Sequence, residues 1–160
     1  MGKRAKIVLA DDNPSSLGIL VEALREESEI LIAPGGKEAL QLILSSSPPP
    51  DLILLDIDMP EMNGYEVCKA LKSESKTCDI PVLFLTGMSN EDYETPCLKL
   101  GAVDYIRKPF NLETAVARIK THLKIKQQID SLRELLSHRT RELELSEEEY
   151  TRLFFRKDMP

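Results

Sequence analysis

The sequence predicts an α/β fold, in which helices cover both faces of a five-stranded parallel sheet. Two observations indicate this class. Five short apolar runs alternate with segments whose apolar residues recur at helical spacing. The runs are nearly uninterrupted, as is typical of strands that are buried on both faces. Together they favour a doubly wound sheet.

The predicted strands occupy residues 7–10, 30–33, 52–55, 80–85 and 103–107. Helices are predicted between them, the first opened by Pro14, then at 39–44, 65–72 and 89–100. We expect Pro96 to interrupt the fourth, because proline removes a backbone donor and clashes with the preceding turn. Five such units in about 120 residues match the flavodoxin-like strand order 2-1-3-4-5. The ends of the first, third and fifth strands should then lie together.

After Pro109 the pattern changes to one long predicted helix. Residues 111–155 contain neither glycine nor proline, and at about 1.5 Å per residue they would extend for roughly 65 Å. A domain of about 120 residues has a radius of gyration near 14 Å, so this helix should project from it.

The helix carries two apolar stripes. The first has four members that suit packing on the sheet: Leu112, Val116, Ile119 and Leu123. The second follows heptad spacing, interrupted at Arg139 and Ser146: Ile125, Ile129, Leu132, Leu136, Leu143, Tyr150 and Leu153. The stripes are one residue out of phase. We interpret the shift as a change from packing within the domain to packing between chains, and expect a homodimer through residues 125–153. The alternative is a solvated helix that packs on another domain.

Composition excludes several classes. The 160 residues carry a net charge of −6 without a long basic run, which argues against nucleic-acid or anionic-membrane contact. Cys68, Cys78 and Cys97 follow no zinc spacing and are expected to be reduced thiols of a cytoplasmic protein. No segment approaches the roughly 20 apolar residues of a membrane span.

Five polar residues follow predicted strands: Asp11, Asp12, Asp56, Thr86 and Lys108. The topology should bring them to one edge of the sheet, where two carboxylates about 4 Å apart repel by about 4 kcal/mol at an effective dielectric near 20. Lys108 offsets part of this charge, and a hard divalent cation with oxygen ligands would offset more. We therefore expect Mg²⁺, with Mn²⁺ as a substitute. An aspartate in such a site can act as a nucleophile and form an aspartyl-phosphate.

The chain resembles the response-regulator receiver domains of two-component signalling over residues 5–123. The resemblance rests on motifs in order: Asp11-Asp12, Asp56 with Met59-Pro60 and Gly64, Thr86, Tyr105, and Lys108-Pro109. It implies a signalling switch rather than a multiple-turnover enzyme. A sensor histidine kinase or phosphotransfer protein would supply the phosphoryl group.

The resemblance also implies roles for residues. Asp56 is the phospho-acceptor. Asp12 and Asp56 bind Mg²⁺ by their side chains, Asp11 does so directly or through water, and Asp58 adds its backbone carbonyl.

The remaining roles concern the switch. Thr86 moves toward the phosphoryl group while the Tyr105 ring turns inward. Lys108 contacts the phosphoryl group, and the bond to Pro109 is cis. For Tyr105 the alternative is a half-buried core aromatic.

Three positions are candidates for setting the phosphate lifetime. Gly87 stands where alanine or serine is common in the family, so the phosphoryl group would be more open to water. Asp58 adds an acid beside the metal, and Met88 follows Gly87.

The domain organisation predicted is a receiver domain at 5–123, a helical coiled-coil linker at 124–155 and a tail at 156–160. Residues 145–155 resemble the helix that leads into a PAS domain, which suggests a piece of a longer protein. A histidine-kinase or cyclic-dinucleotide output module would fit equally well.

Two rival functions remain at this point. The Asp56-Ile-Asp58 motif resembles the paired acids of haloacid-dehalogenase-like phosphatases, in which Asp58 would be the general acid. Against this, the motif follows the third strand, not the first, and leaves the acids at 11 and 12 unexplained. The second rival is a pseudo-receiver scaffold, against which the intact Asp56, Thr86 and Lys108 argue.

Overall fold

The computed structural model describes residues 3–87 and 94–155, without the side chains of 94–96 and 155. The strands are β1 (Ala5–Ala10), β2 (Ser28–Ala33), β3 (Leu52–Asp56), β4 (Val82–Thr86) and β5 (Asp104–Arg107). The α-helices are α1 (Gly18–Arg25), α2 (Gly36–Ser45), α3 (Gly64–Lys72), α4 (Glu94–Lys99) and α5 (Leu112–Phe155).

The five strands form one parallel sheet in the order β2-β1-β3-β4-β5. This order confirms the predicted fold class, and α5 confirms the predicted long C-terminal helix. Every residue of β3 and β4 is buried, which explains why their sequences are uninterrupted apolar runs. The carboxyl ends of β1, β3 and β4 are adjacent, so their last residues and the loops that follow share one edge.

The apolar core has two layers because alternate strand residues point to opposite faces of the sheet. Ile7, Leu9 and Leu54 pack with α1 and the first turns of α5. Val8 and Phe84 pack with α2 and α3 on the other face. Helices therefore pack on both faces of β3, the strand that ends in Asp56.

Two predicted features of the helices differ. The segment opened by Pro14 is one turn of 3₁₀ helix, Pro14–Leu17, and the α-helix starts only at Gly18. The interruption expected at Pro96 is wrong for the described residues, where α4 runs from Glu94 to Lys99. The N–H that Pro96 lacks would have bonded to residue 92, so no hydrogen bond within Glu94–Lys99 is lost.

The loop after β3 is fixed by the start of α3. Asn63 caps this helix by accepting a hydrogen bond from the Glu66 N–H at 2.9 Å, and the Glu66 side chain accepts from the Asn63 N–H in return. The Gly64 N–H donates to the Ile57 carbonyl at 3.0 Å. A Cβ at Gly64 would lie 2.4 Å from the Asp56 carbonyl oxygen, so only glycine allows this close approach.

The chain divides into two compact units, Met1–Lys126 and Gln127–Pro160. In the first, α5 buries Ala115, Ile119 and Leu123. In the second, the described residues are helical, and residues 127–154 are exposed apart from the half-buried Asp130. Among the described residues, no helix combines the length and apolar character that a membrane crossing requires.

The close approach at Gly64 predicts the effect of adding one methyl group. We expect Gly64→Ala to lower the free energy of unfolding by about 1–3 kcal/mol, because the new Cβ overpacks the backbone below Asp56. Urea denaturation measures this change. Gly87→Ala is the matched control, since a Cβ there meets no atom of the described residues within 4 Å. Equal losses in the two variants would contradict the argument.

Candidate phosphoryl-acceptor site

Four strand ends deliver the residues of the site. Asp11 and Asp12 follow β1 directly, while Asp56 and Thr86 are the last residues of β3 and β4. Lys108 follows β5. One carboxylate oxygen from each of the three aspartates lies within 4.8 Å of the others. The predicted convergence of these acids is therefore seen in the geometry.

Lys108 is the cation of this site. Its Nζ donates to Asp11 Oδ2 at 2.9 Å and lies 3.7 Å from Asp56 Oδ1. Asp11 is buried, and its Oδ1 accepts a hydrogen bond from the Asn13 N–H at 2.8 Å. Both Asp11 oxygens thus have partners, which fixes the carboxylate that positions Lys108.

The electrostatic environment of Asp56 favours its protonated form. Burial raises the pKa of Asp56 from 3.8 to about 6; Lys108 lowers it, while Asp11 and Asp12 raise it further. One lysine therefore does not balance three carboxylates. A hard divalent cation would complete the balance, and carboxylate oxygens are the ligands that Mg²⁺ prefers. The donor set fits such an ion.

Thr86 and Lys108 are linked through the backbone. The Lys108 N–H donates to the Thr86 carbonyl at 2.6 Å, so the loop after β5 is tied to the end of β4. Thr86 itself is buried. The bond between Lys108 and Pro109 is cis.

Tyr105 is half-buried and packs against the core beside α4 and β4. Its ring lies under the Arg107 guanidinium, 5.9 Å from centroid to Cζ. Sequence reasoning missed three residues around it: Asp104, Arg118 and His122. Their only sequence signal is an acid beside Tyr105 and two bases one helical turn apart on α5.

Two of the three lifetime candidates lie in the described part of the chain. Asp58 and Gly87 are exposed at the rim of the site. Among the described residues, no atom lies within 4 Å of where a Gly87 side chain would begin. Met88 lies outside the described residues.

Sequence comparison decides the family. Residues 7–120 match the response regulator receiver domain. The chain belongs to this family. Receiver domains are signalling switches of two-component systems rather than conventional enzymes. This chain is therefore a switch domain, and the phosphatase hypothesis is not supported.

Curated relatives show the same domain in longer proteins. The chain is 42% identical over 126 residues to a Vibrio cholerae protein named "Probable cyclic di-GMP phosphodiesterase", covering 79% of this chain and 28% of the relative. It is 40% identical over 120 residues to the Escherichia coli transcriptional regulatory protein CpxR, covering 74% and 49%. The chain thus spans less than half the length of these relatives.

Solved structures agree. The chemotaxis response regulator CheY4 of Vibrio cholerae superposes with a TM-score of 0.69 and 29% identity, covering 75% of this chain and 99% of CheY4. The family match, residues 7–120, ends within α5.

The raised pKa of Asp56 predicts a pH-dependent stability. In metal-free protein the folded state holds an extra proton between pH 3.8 and about 6, so stability falls as the pH rises through that window and stays lower above it. We expect Asp56→Asn to raise the free energy of unfolding by roughly 2 kcal/mol at pH 7.5, with little difference at pH 4.

Urea denaturation in EDTA at the two pH values measures this effect. Asp58→Asn is the control, because Asp58 is exposed at the rim. A gain of equal size at both pH values in Asp56→Asn would contradict the electrostatic explanation.

Proposed function

We propose that this chain is a phosphorylation-dependent switch that accepts a phosphoryl group on Asp56 and passes the change through α5 to an output module. The donor is a sensor histidine kinase or a phosphotransfer protein. The observation that carries the proposal is the meeting of Asp11, Asp12 and Asp56 with Lys108 at the carboxyl ends of parallel strands. Ligands and chemistry of open α/β sheets occur at this edge.

The chemistry needs a carboxylate nucleophile and compensation for the charge of the phosphoryl oxygens. A P–O bond forms to an Asp56 oxygen as the P–N bond of the donor phosphohistidine breaks. Lys108 shifts its contact toward a phosphoryl oxygen, and the Thr86 hydroxyl donates to another. Mg²⁺, held by Asp12 and Asp56 with Asp11 and the Asp58 carbonyl, would supply further positive charge.

A small phosphodonor tests this function. We expect acetyl phosphate with Mg²⁺ to add one phosphoryl group per chain at Asp56, and EDTA to prevent labelling because the acidic cluster then lacks its cation. Intact-mass spectrometry measures the label. Asp56→Asn should take no label, whereas Asp58→Asn should still be labelled.

The rival functions give different results in the same experiment. Steady hydrolysis of many equivalents of an exogenous phosphate ester would indicate a phosphatase. A chain that is neither labelled nor hydrolyses the ester would indicate a scaffold. Either result would overturn the proposal.

The lifetime of the label should depend on the rim of the site. We propose that Gly87, Asp58 and Met88 set this lifetime, since the open space at Gly87 leaves a path for water and the Asp58 carboxylate can orient it. Gly87→Ala and Asp58→Asn should each lengthen the half-life of the label a few-fold, measured by decay of the phosphorylated mass. Glu61→Gln, an exposed acid of the same loop, should decay at the wild-type rate. Unchanged half-lives in both rim variants would refute this role.

We also propose that residues 125–153 pair with the same residues of a second copy. The proposal rests on exposed apolar side chains at heptad spacing, since Ile129, Leu132, Leu136 and Leu143 are 41–66% exposed. A stripe of this kind is complementary to itself and would be covered by pairing. In the full protein the pair would end in an output domain such as a PAS, histidine-kinase or cyclic-dinucleotide module.

Two leucines of equal exposure test the pairing. Leu136 lies in the heptad stripe and is 65% exposed, whereas Leu145 lies outside it and is 64% exposed. We expect Leu136→Glu to be monomeric in sedimentation equilibrium, because a buried unpaired charge opposes pairing. The wild type and Leu145→Glu should be dimeric at the same concentration; identical masses for the two variants would contradict the predicted stripe.

A further inference from the structure

Tyr105 is held at its backbone by side chains. Its N–H donates to Asp104 Oδ1 at 2.8 Å, and its carbonyl accepts a hydrogen bond from Arg118 Nη1 at 2.9 Å. In the part of the chain that the structure describes, β5 is the last strand of the sheet and pairs with β4 alone. At the open edge of β5, side chains therefore form the backbone hydrogen bonds that a further strand would otherwise form.

The Asp104 carboxylate is the centre of this arrangement. Besides the Tyr105 N–H, Oδ1 lies 3.4 Å from Arg118 Nη1, and Oδ2 lies 3.1 Å from His122 Nε2. The Asp104 side chain is 23% exposed and that of His122 19%. One carboxylate thus connects the backbone of the switch tyrosine to two bases of α5.

The two bases are four residues apart, so they lie on one face of α5, one turn from each other. The same helix packs on the sheet through Ala115 and Ile119. Buried apolar contacts therefore attach α5 to the domain. Partly exposed ion pairs add little net stability, which leaves a positional role for the polar contacts.

We propose that Asp104, Arg118 and His122 form a clasp that sets the position of Tyr105 and couples it to α5. The coupling rests on the proposed phosphorylation of Asp56. When Thr86 and Tyr105 rearrange, the displaced backbone of β5 pulls on Arg118 and His122 through Asp104. The clasp residues are positioning residues, because none of them contacts the acidic site through a described bond.

The first test needs no phosphorylation. Amide hydrogen exchange of the full 160-residue chain, read by NMR, should show Tyr105 exchanging at least tenfold faster in Asp104→Ala than in the wild type. The Leu54 amide in the buried β3 should exchange at the wild-type rate. Unchanged exchange at Tyr105 would overturn the clasp.

The second test measures the coupling. Beryllofluoride with Mg²⁺, a phosphoryl mimic, should shift the backbone amide resonances of residues 118–126 in the wild type. In Asp104→Ala we expect the shifts to fall to less than a third, while acetyl phosphate labels Asp56 within twofold of the wild-type rate. Full-size shifts in this variant would overturn the coupling.

Conservative variants separate the clasp from a general loss of structure. Arg118→Lys and His122→Gln keep a donor and should retain at least half of the wild-type shifts, whereas Arg118→Ala and His122→Ala should not. Glu113→Gln, on the same helix, should respond as the wild type does. Equal responses of the conservative and alanine variants would count against the clasp.

Failure of the proposed function is distinguishable. A wild type that takes no label at Asp56 overturns that function and the coupling with it. Exchange at Tyr105 still decides whether the clasp positions the tyrosine.

Discussion

The ammonium of Lys108 among three carboxylates is the interaction on which the site depends. Its bond to Asp11 at 2.9 Å and its approach to Asp56 at 3.7 Å offset repulsion that would otherwise push the strand ends apart. The compensation is incomplete: burial raises the pKa of Asp56 to about 6, and Asp11 and Asp12 raise it further although Lys108 lowers it. An acidic cluster left with excess negative charge attracts a cation. A cation at this position would also compensate the charge of phosphoryl oxygens during transfer to a carboxylate.

Much of this site could be predicted because it depends on topology. Parallel strands end at one edge, so polar residues that follow successive apolar runs must meet there. Asp56 and Lys108 are 52 positions apart in the sequence, yet both were placed correctly by strand order alone. The family resemblance then supplied roles that geometry by itself does not give.

Other features depend on details that patterns do not contain. The contacts of Asp104 with Arg118 and His122 depend on the rotation of α5 about its axis. Apolar spacing indicates which face of the helix packs on the sheet, but it does not fix this rotation to the accuracy of a side-chain contact. The bond from Asn13 to Asp11 depends on the local path of one loop. The continuity of α4 through Pro96 depends on where the missing N–H falls, because only a lost bond inside the helix breaks it.

The position of each strand in the sheet has a mechanical consequence. β3, which carries Asp56, has neighbouring strands on both sides and helices over both faces, whereas β5, which carries Tyr105, has one neighbouring strand among the described residues. Stiffness should therefore decrease across the sheet from Asp56, the proposed phospho-acceptor, to Tyr105, the proposed switch residue. A disturbance introduced at the rigid centre would be relieved at the compliant border, and the proposed signal would take its direction from this gradient.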